Sequence, residues 1–235
     1  MGKITNIAWT DSTLNLAWGC TKVSAGCEKC YMFRLSRQMG GRDPSKVVIF
    51  DLDNAKARLK GMGEKVFVNS MSDTFHEAIP VEVIRSWLQL FAEDPRRQFQ
   101  ILTKRINRAY ALVKSGELRI PPNVWLGTSI EDPAHLFRAD TLRKIPAKIR
   151  FISFEPLLKE IPPPINLEGI SWVIVGGESD YKDPRPMSPY WAFLIRKEAE
   201  RQKVAFFFKQ HGGIGGDGAG GDQLLGQAIK EFPKY

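Results

Sequence analysis

The chain has no run of about 18 apolar residues, so hydropathy offers no membrane-spanning helix. Its first residues, Met1 to Trp9, mix Lys3, Thr5 and Asn6 with Ile4 and Ile7 and make no signal-peptide core. A cytoplasmic protein with no membrane partner is the expectation. Cysteine is scarce: three residues, Cys20, Cys27 and Cys30, all within eleven positions. An odd, tightly clustered set gives no disulfide framework and reads instead as thiols available to a metal. Histidine is equally scarce, with only His76, His135 and His211. There is no internal repeat, and the one biased stretch, Gly212 to Gly221, has seven glycines but no P-loop lysine.

The 235 residues are 43% hydrophobic and 26% charged, ordinary values for one domain that buries its own core. Thirty-four Lys and Arg against 26 Asp and Glu give a formal charge of +8. That balance favours phosphate-bearing partners, because neutralised phosphates release counterions, and it is also what a solvated surface looks like.

From Lys65 onward short apolar runs alternate with amphipathic stretches, as in parallel strands joined by crossover helices. The runs are Lys65 to Asn69, Gln98 to Leu102, Val124 to Gly127, Ile149 to Phe154, Trp172 to Val175 and Val204 to Phe208. Each is almost continuously hydrophobic, which is expected of strands covered on both faces. Helices are predicted over Glu28 to Met39, Leu52 to Lys60, Pro80 to Ala92, Lys104 to Lys114, Pro133 to Lys144 and Pro189 to Lys203. With a first strand within Asn6 to Gly19, about seven strands and six helices result. This is an α/β chain whose count suits a single (β/α) barrel over 1–235, closed or partial, with an open doubly wound sheet as the alternative. The Gly-rich segment 212–221 follows the last strand and reads as a flexible loop or lid.

In such a barrel the chemistry sits at the C-terminal strand ends. There the sequence places Asn69-Ser70-Met71-Ser72-Asp73, Thr103-Lys104-Arg105, Thr128-Ser129-Ile130-Glu131, Glu155-Pro156, Gly176-Gly177-Glu178-Ser179 and Lys209-Gln210-His211. Helix caps and turns account for Ser72 and Asp132. They do not account for Lys104, Glu155, Glu178 and Lys209, since charges at the ends of buried strands need partners or a ligand. Glu155, Glu178 and Lys209 are therefore candidate catalytic groups; Lys104, Arg105, Arg185 and Lys209 are candidate phosphate contacts or, equally, ion-paired structural residues.

The cysteine loop, 20–30, has six residues between the first two thiols and two between the second pair. Three thiolates from one loop leave one position of a cubane [4Fe–4S] cluster unfilled by protein, and no fourth cysteine exists to fill it. The competing metal is zinc, which would take a histidine as its fourth ligand. In that case the chain is a zinc-binding barrel acting as a nucleic-acid binding or accessory module without redox chemistry.

Two resemblances bear on the choice. Trp9-Thr10-Asp11, Trp18-Gly19-Cys20, Ser24 to Tyr31, Phe67 to Asp73, Ser153 to Leu158, Trp172 to Ser179, Arg185-Pro186-Met187 and Phe207 to Gln210 resemble a phage- and prophage-associated family of unknown function along essentially the whole chain. More distantly, the three-cysteine loop ahead of a (β/α) barrel is similar to the radical S-adenosylmethionine superfamily. That resemblance implies a [4Fe–4S] cluster on Cys20, Cys27 and Cys30, with S-adenosylmethionine bound at the open iron. It implies a 5′-deoxyadenosyl radical that abstracts hydrogen from a substrate, and an electron donor such as flavodoxin or ferredoxin. By strand count it places cofactor contacts at Asn69, Ser70, Ser72 and Asp73 and at Thr128, Ser129 and Glu131. The superfamily's usual cysteine spacing is three then two, and an aromatic precedes its last cysteine where this chain has Lys29. With a basic chain in a phage context, the expected substrate is a base in DNA or RNA, or a nucleoside.

Overall fold

The computed structural model describes residues 5–38 and 43–234. Seven strands form one sheet: β1 (Ser12–Leu14), β2 (Lys65–Val68), β3 (Gln98–Thr103), β4 (Val124–Ser129), β5 (Ile149–Phe154), β6 (Trp172–Gly176) and β7 (Ala205–Gln210). They lie side by side in sequence order, and every neighbouring pair is parallel. A doubly wound sheet would reverse direction at a switch point. This one does not, and the barrel order stands. β1 and β7 are its two edges, with no pairing between them among the described residues, so the barrel is partial.

The sheet is curled, and its alternate residues face two different cores. On the outer face Val66, Val68, Ile101, Leu126, Ile152, Val173 and Phe206 pack with helix residues such as Ile84, Trp87, Phe91, Leu142 and Ile195. The helices are α1 (Tyr31–Gln38), α2 (Leu52–Leu59), α3 (Val81–Ala92), α4 (Ile106–Lys114), α5 (Phe137–Arg143) and α6 (Pro189–Gln202). The inner face carries Phe67, Trp125, Ile149, Phe151, Trp172, Ile174 and Phe207, packed with Trp9. The Trp9 ring lies 4.6 Å from Phe67 on β2 and 6.3 Å from Phe151 on β5, centroid to centroid. In a flat sheet strands three apart are separated by about 14 Å. One indole can bridge them only where the sheet wraps around it.

Local differences from the sequence reading have local causes. The stretch 133–144 divides into a 3-10 turn, Pro133–His135, and α5. α4 starts two residues later than expected, because Thr103 Oγ1 accepts from Arg105 N (2.8 Å) and holds Arg105 outside helical geometry. α1 starts at Tyr31, three residues after Glu28, and Met39, its expected end, lies outside the described residues. Three two-residue pairings were not foreseen: Ala17–Trp18 with Val48–Ile49, Ser179–Asp180 with Gly213–Ile214, and Gln223–Leu224 with Gln227–Ala228. Among the described residues no helix is long and apolar enough to cross a membrane.

Candidate functional site

The inward positions end in polar residues. Continuing the inward alternation past Ile149 and Phe151 gives Ser153 and Glu155; past Trp172 and Ile174 it gives Gly176 and Glu178; past Phe207 it gives Lys209. Ser153, Glu155, Glu178 and Lys209 open onto a cavity of about 240 Å³ at the C-terminal mouth, above the aromatic core. Cys20, Cys27 and Cys30 all line it, as do Asn69, Ser70, Ser72, Asp73, Lys104, Ser129, Ser153, Glu155, Glu178 and Lys209.

The cysteine loop is held from three sides by ion-paired groups. Arg105 is buried, and each of its five guanidinium N–H groups has an acceptor. Nε donates to Glu77 Oε2 (2.8 Å), Nη1 to Cys20 Sγ (3.5 Å) and Asp73 Oδ2 (3.4 Å), and Nη2 to Thr21 O (3.0 Å) and Thr21 Oγ1 (2.7 Å). Asp73 is saturated in turn, accepting also from Thr103 Oγ1 (2.6 Å), Lys104 N (3.0 Å) and Phe75 N (2.9 Å). On a second side Glu131, fully buried, accepts from Ser24 Oγ and from Arg138 Nη1 (2.8 Å). Its side chain lies so close to Gly26 that a Cβ there would sit 2.5 Å from Glu131 Cγ, which is why the loop needs glycine at that point. On the third side Arg185 donates to Ala25 O (3.0 Å), to Glu28 Oε2 (2.9 Å) and to both oxygens of Glu178.

The segment 69–72 clasps the chain just ahead of the first cysteine. Asn69, at a left-handed φ of 57°, accepts from Leu16 N (2.7 Å) and Ala17 N (3.1 Å) and donates to Thr74 Oγ1 (3.0 Å). Ser72 Oγ donates to Gly19 O (2.7 Å), and Ser70 Oγ to Asn15 Oδ1 (3.2 Å). Tyr31, just after the last cysteine, donates to Ser70 O. Burial pushes the Cys20 thiol up to about 11, with Asp73 adding to the rise and Arg105 opposing it. The Cys30 thiol is also raised, again first by burial.

Opposite the cysteines, Lys209 Nζ donates to Glu155 Oε1 (2.6 Å) and Asp217 Oδ1 (2.9 Å). Burial by itself would lower the Lys209 pKa, but the two carboxylates outweigh it and keep the ammonium charged. Asp217 belongs to the Gly-rich segment, whose Gly218 N also donates to Gln210 Oε1 (2.7 Å). That segment starts in contact with the end of β6: a Cβ on Gly177 would lie 1.8 Å from His211 O.

A family model described as "Protein of unknown function (DUF5131)" matches residues 4–233. The chain belongs to this family. No curated protein matches it. Among solved structures, two mutants of spore photoproduct lyase are similar to this DUF5131 chain at 11% identity, with TM-scores of 0.49 and 0.47. The first holds AdoMet and dinucleoside spore photoproduct. The matches cover 82% of this chain and 62% of each of those chains, so the DUF5131 protein spans under two thirds of their length.

Of the residues singled out in the DUF5131 sequence, the structure gathers the three cysteines, Glu155, Glu178 and Lys209 around one cavity. Thr128 stands behind its wall, bonded to Thr103 O (2.8 Å), and Glu131 acts on the loop from behind. Asn69, Ser72 and Asp73, expected at a cofactor, have their polar atoms occupied by the chain around the cysteines. Arg105, Arg185 and Lys209, expected at phosphates, are likewise committed to acceptors inside the protein. Lys104 makes a longer pair, its Nζ 3.7 Å from Glu131 Oε1. Sequence reasoning missed Arg138 and Asp217, which carry no positional signal, and the roles of Trp9 and Ser153. Ser153 had a signal in its inward register with Ile149 and Phe151.

The donor set bears on which metal fits. None of the histidines lines the cavity. His76 Nε2 lies 2.9 Å from Thr21 Oγ1 and its Nδ1 accepts from Ala78 N (3.1 Å). His135 Nδ1 is 2.8 Å from Asp132 Oδ1, and His211 Nε2 is 2.8 Å from Gln223 O. Among the described residues no three His, Cys, Asp or Glu side chains are gathered tightly enough to hold a single ion. Three thiols spread around one cavity suit a cluster, in which each thiolate takes its own iron, better than a zinc ion that needs four donors about one point.

Proposed function

We propose that this protein is an enzyme of the radical S-adenosylmethionine type, acting on a nucleic-acid base or nucleoside in a phage context. The observation that carries the reading is the placing of Cys20, Cys27 and Cys30. They follow the first strand, line the mouth of a partial parallel barrel, and come without a fourth cysteine. Cys20, Cys27 and Cys30 would each hold one iron of a [4Fe–4S] cluster and leave the fourth to S-adenosylmethionine. When bound, that pair supplies one-electron cleavage of a carbon–sulfur bond, and so hydrogen-atom abstraction from an unactivated carbon.

The chain's own residues do the rest. Arg105, Glu131 and Arg185 fix the loop before any metal arrives, so that loading does not have to order it. Ser70, Ser129 and Lys104 line the cavity next to the cysteines and contact S-adenosylmethionine. Glu155, Glu178 and Lys209 face the substrate, and Lys209, kept charged by two carboxylates, donates from Nζ. The Gly212 to Gly221 segment, tied down through Asp217, excludes water.

Anaerobic reconstitution with iron and sulfide tests this reading. A brown protein with about four iron per chain that forms 5′-deoxyadenosine from S-adenosylmethionine and a reductant supports it. Colourless protein holding one zinc selects the accessory-module reading instead.

A further inference from the structure

We infer that Lys209 is the seat for a phosphodiester group of a single-stranded nucleic-acid substrate, and that Asp217 holds that place until the substrate arrives. The inference rests on reading the cavity as a substrate site and narrows the substrate from a nucleoside to a strand.

The two carboxylates on Lys209 are held differently. Glu155 follows directly on β5, and its carboxyl packs on the end of β6, where a Cβ on Gly176 would come within 3.2 Å of Glu155 Cδ. Asp217 sits between Gly216 and Gly218 at the tip of the Gly-rich segment, and among the described residues its side chain bonds only to Lys209 Nζ (2.9 Å). The base of that segment is fixed by backbone bonds, from Gly212 N to Ala219 O (3.0 Å), Gly213 N to Glu178 O (2.9 Å) and Gly215 N to Asp180 O (3.0 Å). The tip, Gly216 to Gly218, reaches the strands through Asp217 and through Gly218 N on Gln210 Oε1. With φ at 134° in Gly215 and 87° in Gly218, the chain turns there in conformations that glycine adopts at little cost. Asp217 can therefore leave Lys209 without disturbing a strand, whereas Glu155 cannot.

What replaces Asp217 must match it. Lys209 is buried, and a buried ammonium needs its charged partners replaced when one departs. One ammonium and two carboxylates leave a single net negative charge. A phosphodiester, also singly charged, keeps that balance, while a phosphomonoester, at about −1.5 to −2, adds to it. The place is also open on one side: Asp217 lines the cavity, yet its side chain is 40% exposed. A strand needs this arrangement, with a base in the cavity and a phosphate at the rim from which the chain continues. Beside the tip stands Tyr181, 55% exposed, whose hydroxyl is 3.1 Å from where a Cβ on Gly216 would lie and whose ring has Arg34 Cζ 4.2 Å from its centroid. An exposed ring beside a cation suits the next base of a single strand.

Fluorescence anisotropy with a labelled single-stranded oligonucleotide at low ionic strength, on the full chain before and after anaerobic reconstitution, tests the inference. Asp217→Asn keeps the shape of the side chain and removes the competing charge. It should bind the strand about two- to fivefold tighter, because the half-exposed pair it breaks is weak. Lys209→Gln should bind about tenfold more weakly; Asp217→Asn decides alone if Lys209→Gln fails to fold. Asp53→Asn, on the exposed first turn of α2, changes the net charge by the same amount and should leave strand affinity unchanged. No binding of the strand, unchanged or weaker binding in Asp217→Asn, an equal gain in Asp53→Asn, or tighter binding of a nucleoside 5′-monophosphate than of the strand overturns the inference. A reconstituted cluster without these strand effects fails this inference alone; the strand effects without a cluster fail the enzyme reading alone.

Discussion

Arg105 Nη1 lies 3.5 Å from Cys20 Sγ, and with that contact every donor of the guanidinium is occupied. A planar fork reaches Glu77, Asp73 and Thr21 together; an ammonium cannot. Arg105→Lys should therefore lower stability by about 2 kcal/mol and loosen the cysteine loop. The expected readouts are a lower melting temperature and a clear loss of iron after reconstitution. Wild-type iron content with unchanged melting would show that Arg105 does not order the loop.

Gly26→Ala should act on the same loop from the other side. The new methyl would meet Glu131, whose carboxylate is buried and held by Arg138 and Ser24, so it has nowhere to move. Overpacking of this kind costs about 1–3 kcal/mol. Chemical denaturation should report it, and a variant as stable as the parent would mean that Glu131 yields freely.

Asp217→Ala should release the Gly-rich segment with little effect on the core. Asp217 is partly exposed, so its pair with Lys209 adds only about 1 kcal/mol or less to global stability. Hydrogen exchange at Gly212 to Gly221, Gly218 above all, should quicken while the strands stay protected. Unchanged exchange would remove Lys209–Asp217 as the latch.

His76 is held below its ordinary pKa, first by burial and then by Arg105. The unfolded chain therefore binds a proton at this residue before the folded one does. Stability is unaffected by His76 above the ordinary value of about 6.5, and falls as pH drops from there through the lower folded value. An NMR titration of the ring should give a midpoint below 6.5; one at or above it would contradict the burial of a neutral imidazole.

The strands, helices and site of this protein were legible in the sequence to different degrees. Runs such as Trp172 to Val175 mark buried strands because both faces are covered, and the inward alternation carries straight on to Glu155, Glu178 and Lys209 at the mouth. What the sequence could not convey is which polar residues face a ligand and which hold the chain. Asn69 and Asp73 look like ligand contacts by position, yet their bonds run to Leu16, Ala17 and Arg105, 32 or more residues away in one direction or the other. Such pairings depend on how the cysteine loop crosses the strand ends. No spacing or periodicity encodes that crossing, nor does it reveal that Arg138 stands behind Glu131.

The cluster itself offers the most direct test. Cys20→Ala, Cys27→Ala and Cys30→Ala, each reconstituted anaerobically beside the parent chain, should lose the iron–sulfur absorbance near 400 nm, to which about four iron per chain contribute in the parent. Intact absorbance and full iron content in all three variants would contradict the account.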